Sequence, residues 1–540
     1  MDYQRCADLH NEILRRGCLG SGQEWPDVPL QTWWEHHAPA DEEEKEKLIA
    51  KLSPSLIEFL KRAYEPSSLP VPFHFFYFLW NLGGPEEMVG NSLLNDIRDQ
   101  FMQIENGRFV LLYPSSCFKE DEQVFGLVFD RQTSTATYVP EYSECSDVCL
   151  NGHSWLPLED ILTAYIEMID EGKVVAVTDC NARTEAAYEA RGSGIHIPFP
   201  MRPWFINLYT PIDVEKAASA MKCLVDAINH KIEALQLGPD SPVAPYMNVL
   251  WHDPAMFRED LVPEATFAFE FLKVIAHLRV RFRYIAPGIR FMTAKEFLGQ
   301  SSESRFSAGH SLRVFQVEPL SDGDDDVDTE ESGSDSSEDE NEDQEGGSQQ
   351  EEEKTYLKDQ KEKEEEEKEE EKEEEKAAET EEETEEETEG EEASATPYDP
   401  IPPNSSSGRY TERTRPGFYI EQVRPYQHFH FANESRLELP FGIGANGWAE
   451  QSNGEPLGFI IDKWYPKPAD STCDLYQSGF PTGFTDIRLV QIHKVLDNWA
   501  DRVEEGDWVV NEDGVMGGIG KFRQADTEEH WEEYVIPHSW

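Results

Sequence analysis

The residues able to do chemistry in this chain fall into short, scattered groups. His252 and Asp253 follow the apolar run 247–251 and precede Pro254. A histidine at a strand end can serve as a general base when a carboxylate orients it. It can equally cap or satisfy a polar group in the core, and no nucleophile motif of the G-x-S-x-G or H-E-x-x-H kind accompanies it. His428 and His430 spell H-x-H on an extended segment. Alternate strand residues face one side, so both imidazoles could reach one metal ion if His493 or an acid completed the set. Two histidines on a polar strand face are the plainer alternative. Cys145 and Cys149 stand C-x3-C with no second cysteine or histidine pair nearby, short of the four ligands that a structural zinc needs.

Arginines make the sharpest oddity. Arg279, Arg281 and Arg283 alternate with Val280, Phe282 and Tyr284, and Arg290 follows. A period of two predicts a strand with one apolar and one basic face. That face can bind an anion or an acidic partner, neutralise the chain's own acids, or guard a solvated sheet edge. Gly442, Gly444 and Gly447 spell G-x-G-x-x-G, but the residues that follow read as loop, not as the helix a dinucleotide site requires. Pro440 is expected to break the preceding strand. Gly517, Gly518, Gly520 and Lys521 fail as a phosphate loop. Val515 stands where the first glycine belongs and Phe522 where a hydroxyl would hold magnesium. No complete catalytic constellation is present, and no cofactor is expected.

Charge sorts the chain into regions. The 540 residues carry a formal net charge of −61. Residues 321–392 hold 39 acids and 7 lysines, so about half of that charge sits in this one tract. It has almost no large aliphatic residues and cannot bury enough apolar surface to offset its ordering entropy, so it is expected to be disordered. Ser332, Ser336 and Ser337 each have an acid three residues on, a pattern that suits an acidophilic kinase. An acidic chain repels the phosphate backbone, so direct nucleic-acid binding is not expected. Protein partners are expected instead, basic proteins such as histones among them. The opening MDYQRCADLH has no signal-peptide pattern, and the most apolar window, 71–80, is too short to span a bilayer. Eight sparse cysteines fit a reducing compartment. A soluble protein of the cytoplasm or nucleus, without membrane insertion, is the expectation.

The elements that must position these residues divide into blocks. Residues 1–41 read as an arm on the first domain, which must still bury Trp33 and Trp34. Residues 42–185 read as an α+β domain. Ser53–Pro54 opens a helix, 73–80 suits a buried helix, and three strands follow at 108–113, 124–130 and 135–139. A helix with Leu158, Ile161, Leu162 and Tyr165 on one face comes next. Residues 186–318 read as a second α+β domain. Thr210, Pro211 and Asp213 start its long helix, and Gly238 ends it. The apolar seam of that helix allows either an internal packing contact or a short dimeric coiled coil. A second, nearly all-apolar helix is expected over 264–278. Residues 319–400 are the acidic linker. Residues 401–540 read as a mostly β block with a helix at 486–499 and a last one at 526–534.

The outline of 42–178, helices then a meander then the W-x-P-L-E-D-I-L helix, loosely resembles the SUKH fold of fungal cell-wall regulators and bacterial immunity proteins. That resemblance implies a non-enzymatic adaptor. The function expected overall is a non-enzymatic regulatory or interaction protein with a phosphorylatable acidic linker. An enzyme with a site near His252 or His428 and His430, or an acidic chaperone of basic proteins, are the alternatives.

Overall fold

The computed structural model describes residues 1–66, 73–90, 108–115, 126–139, 155–180, 182–183, 202–235, 247–248, 252–258, 261–262, 264, 266–300, 311–320, 416–420, 434–454, 456–457, 472–478 and 490–537. Helices and sheets alternate in an α+β arrangement. Its first surprise is the N-terminus. The stretch expected as a loose arm contains α1 (Tyr3–Gly20), capped by the Asp2 carboxylate, which accepts from the Arg5 amide. Cys6, Ala7, His10, Ile13, Leu14, Gly17 and Cys18 recur at spacings of three and four and are all buried. That stripe has only Ile13 and Leu14 as large aliphatics among small and polar residues, so hydrophobic periodicity alone under-reads it.

The first lobe closes around α1. It continues through β1 (Leu30–Thr32), α2 (Trp33–His37), α3 (Glu42–Ala50), α4 (Pro54–Leu60), β2 (Tyr64–Pro66) and α5 (Pro85–Gly90). Then come β3 (Phe109–Pro114), β4 (Gly126–Asp130), β5 (Thr135–Val139) and β6 (Leu156–Pro157), an antiparallel meander. Asp130 pins the β4–β5 turn. It accepts from the Gln132 amide and the Thr133 hydroxyl, and Arg108 grips it with two nitrogens at 3.0 and 2.6 Å. α6 (Leu158–Asp170), β7 (Val174–Ala176) and β8 (Trp204–Ile206) complete the lobe. Residues 73–80 are not a helix. Phe76 and Leu79 bridge each other across a tight turn, and Leu79 bridges Ser115 beside the meander. Aromatic side chains favour such extended, pleated packing, and Phe75, Phe76, Phe78 and Leu79 are all buried in it.

The second lobe begins with α7 (Pro211–Ala234), started as expected by a Thr210–Asp213 capping box. β9 (Met247–Asn248), α8 (Phe267–Ile275), β10 (Arg279–Val280), β11 (Tyr284–Ala286), β12 (Ile289–Phe291), α9 (Ala294–Gly299) and β13 (Leu312–Val317) follow. Beyond the acidic tract come β14 (Gly417–Ile420), β15 (Ser435–Ile443), β16 (Thr472–Asp474), α10 (Ile492–Glu505), β17 (Val510–Asn511), β18 (Gly514–Val515) and α11 (Trp531–Tyr534). The strands from both sides of the tract form one eight-stranded sheet in the order β16-β15-β14-β13-β12-β11-β18-β17. β13 and β14 are antiparallel neighbours, with Gln316 opposite Gly417 and Leu312 opposite Ile420. Val314 and Phe315 share one apolar core with Phe418, Leu437, Leu496 and Trp499. The stretches read as separate blocks, 186–318 and 401–540, therefore share a sheet and a core.

Several local expectations change for physical reasons. The seam of α7 is covered within the chain by α10 and α8 from Val214 to Ile232, with only its end at Leu235 exposed, so it packs internally and not as a coiled coil. β15 runs through Pro440, because its register shifts between Glu438 and Ile443 and frees the position of the missing N–H. The last helix is short, preceded by a 3-10 helix at Ile519–Asp526. Gly238 and Cys145 with Cys149 lie outside the described residues. Among the described residues, no helix is long and apolar enough to cross a membrane.

Candidate functional site

The arginine group does not form one strand. β10 ends at Val280 and β11 starts at Tyr284, with a bend between them. The bend turns the side chains to different carboxylates. Arg281 reaches Glu233 of α7 at 3.2 Å. Arg283 reaches Glu318 at 2.7 Å, and Tyr284 donates its hydroxyl to the same carboxylate at 2.8 Å. Arg290 binds Glu296 through two nitrogens at 3.0 and 2.6 Å and Glu318 at 3.2 Å. The Arg290 hydrogen bonds hold the Glu296 carboxyl down at about 2. Arg279 is exposed and makes no ion pair among the described residues. Arg281, Arg283 and Arg290 thus face acids of their own lobe.

The glycine-rich loop after β15 binds an anion, and that anion is internal. Gly444 and Gly447 take positive φ, 97° and 78°, which turns successive N–H groups inward. The Asp526 carboxylate receives them. Oδ2 accepts from Gly444 at 3.0 Å and Asn446 at 2.8 Å, and Oδ1 from Trp448 at 2.9 Å and Ala449 at 3.0 Å. Asp526 is buried, so the nest that could suit a phosphate is filled by the chain's own side chain.

His252 and Asp253 do not assemble a catalytic group among the described residues. Both are exposed, and Asp253 accepts the Ala255 amide at 2.9 Å, a local cap. His252 stands edge-on to His277. His428 and His430 lie outside the described residues, as do Ser332, Ser336 and Ser337. His493, suggested as their partner, is buried on α10 with its Nδ1 unbonded. Burial holds its pKa down at about 4, and Lys494 adds to that. Lys216, Asp213 and Lys173 act on it as well. Lys173 and Asp213 are themselves a fully buried ion pair at 2.7 Å, locking the α6–β7 turn onto the start of α7.

A cluster that the sequence reading passed over lies in the first lobe. His36 and His37 end α2, and Glu65 sits on β2. Thr32 and Glu35 cap α2 reciprocally, and Trp33 anchors it by donating its indole N–H to the Gly83 carbonyl at 2.8 Å. β1 carries Gln31 opposite Glu65, so the sheet register brings the carboxylate under the helix end. His36 Nδ1 stands 3.2 Å and His37 Nε2 2.9 Å from the same oxygen, Glu65 Oε2. The two rings lie 4.2 Å apart, and the three donor atoms all fall within 4.8 Å of one another. The adjacent histidines were visible as WWEHH. Glu65 lies 28 positions beyond His37, and only strand pairing finds it.

No protein family, curated protein or solved structure matches the chain, so the SUKH resemblance gains no support from them.

Proposed function

We propose that this chain is a non-enzymatic interaction protein: a folded α+β platform displaying a phosphorylatable acidic segment that captures basic proteins. The observation that carries this reading is the pairing of β13 with β14. The chain leaves the sheet after Val317 and returns at Gly417 on the neighbouring strand. A connection of that length is not needed to join adjacent antiparallel strands, which two to five residues can link. Its charge is then its purpose. A segment with 39 acids attracts polycations and repels nucleic acid. Phosphates on Ser332, Ser336 and Ser337 would each add about −1.5 to −2 and strengthen the capture. The described cysteines are all free thiols, which fits a location in the cytoplasm or nucleus.

The test compares the full chain with a variant lacking 321–392 for binding to a histone. The full chain should bind with an affinity that falls steeply as salt rises, and the deletion should abolish binding. Equal binding by the two chains would overturn the reading.

A further inference from the structure

We propose that His36, His37 and Glu65 form a binding site for one divalent transition-metal ion of the zinc class, with coordination positions left open to solvent. Three features separate this cluster from a chance contact. The first is the state of Glu65. It is 94 % buried, since its relative exposure is 6 %. Among the described residues only the two imidazoles lie at bonding distance from its carboxylate, with no guanidinium, ammonium or backbone N–H, while the buried His10 interacts with it through space. A buried carboxylate requires a compensating positive charge or several strong donors. The second is convergence. Adjacent residues in a helix project about 100° apart and do not normally face a common point. Here α2 stops at His37 and the chain turns extended at Ala38, which lets both rings swing to one oxygen.

The third is size. Zinc bonds to imidazole nitrogen and carboxylate oxygen run about 2.0–2.1 Å. Ligand atoms around a tetrahedral ion therefore stand about 3.3 Å apart. The two nitrogen-to-oxygen separations of 3.2 and 2.9 Å need only a slight spreading to admit the ion, and the two nitrogens lie within 4.8 Å of each other. Two nitrogens and one oxygen suit zinc, cobalt or nickel better than calcium or magnesium, which prefer all-oxygen shells. The helix cap, the Trp33 anchor and the β1–β2 pairing hold the three ligands in place without the ion. His36 is 48 % exposed, so the remaining positions open to water or to an exogenous donor.

The test uses the purified full chain and Co2+, whose visible absorption distinguishes nitrogen ligation from weak carboxylate binding by the acidic tract. One equivalent should give a d–d spectrum that Zn2+ displaces, and Zn2+ should raise the thermal midpoint. Glu65→Gln and His37→Ala should weaken binding by more than ~10-fold, while a His428→Ala, His430→Ala double variant should keep it. Glu65→Gln preserves shape, so its unfolding curve without metal shows whether it is folded. Absence of the spectrum in the full chain, or its persistence in folded Glu65→Gln, would overturn the site. So would its loss in the double variant alone.

Discussion

Asp526 shows how much one side chain can hold. Its carboxylate satisfies four loop amides, and its own backbone carbonyl accepts from the Asn446 amide group. Asp526→Ala leaves those N–H groups without their acceptor, and each unmade buried bond costs on the order of 1 kcal/mol or more. We expect a loss of about 3 kcal/mol in urea unfolding, and a loss under ~0.5 kcal/mol would contradict this account. Three buried histidines set a pH dependence at the same scale. Burial lowers His10, His74 and His493 from 6.5 to about 4. Above pH 6.5 they are neutral in both the folded and unfolded chain and nothing is lost. Between 6.5 and 4 the unfolded chain takes up protons that the fold refuses, so stability falls, and the loss is complete below 4. From pH 7 to pH 5 each histidine should contribute a loss of about 2 kcal/mol. The carboxyls of Glu12 and Glu296, held at about 2 mainly by hydrogen bonds from Arg15 and Arg290, add their own loss only at lower pH. His10, between the Tyr113 hydroxyl and the Tyr64 carbonyl, is the one to replace. His10→Gln should flatten the fall between pH 7 and 5 by about a third.

Among the elements, the start of α7 and the middle of the sheet are the points of greatest sensitivity. Asp213 accepts from the Thr210 amide and hydroxyl and pairs with Lys173. Lys173→Met strips a buried carboxylate of its cation, and a loss of about 3 kcal/mol is expected by thermal or chemical unfolding. A loss below ~1 kcal/mol would mean that Thr210 alone suffices. On β14, Gly417 leaves room for the side chain of Arg313 from the neighbouring strand. Gly417→Ala pushes a methyl into that buried chain, with an expected cost of about 1–3 kcal/mol. These elements also mark what the sequence could disclose. Caps speak locally, so Ser53, Thr210 and Thr293 are legible: Ser53 accepts from the Leu56 amide, and Thr210–Asp213 and Thr293–Glu296 form reciprocal capping boxes. The stripe of Leu158, Ile161, Leu162 and Tyr165 is equally plain. α1 is less so, because cysteine, histidine, alanine and glycine make up most of its buried face beside Ile13 and Leu14. The His36, His37 and Glu65 cluster is half legible, since two ligands are neighbours in sequence and the third arrives by strand pairing. The arginines mislead because alternation signals a strand, while partners on α7 and beyond β13 decide where each side chain turns.

At the scale of the molecule, the acidic tract is a connection inside one sheet. Removing 321–392 shortens the link between β13 and β14 without touching either strand. A shorter loop loses less entropy on closure, so the deletion should raise stability by about 1 kcal/mol. A drop in the melting temperature of the deleted chain would show that the tract also supports the fold. The adjacency of β13 and β14 reaches further. A backbone cut anywhere between Val317 and Gly417 breaks neither β13 nor β14, and the sheet that joins the two pieces is the one that formed them. The halves should stay together through purification and come apart only in denaturant. Expressed as two polypeptides, they should find each other and reassemble as a split protein. Joined instead through their outer ends by a suitable linker, they should tolerate new termini in the tract, so that a circular permutant begins at β14.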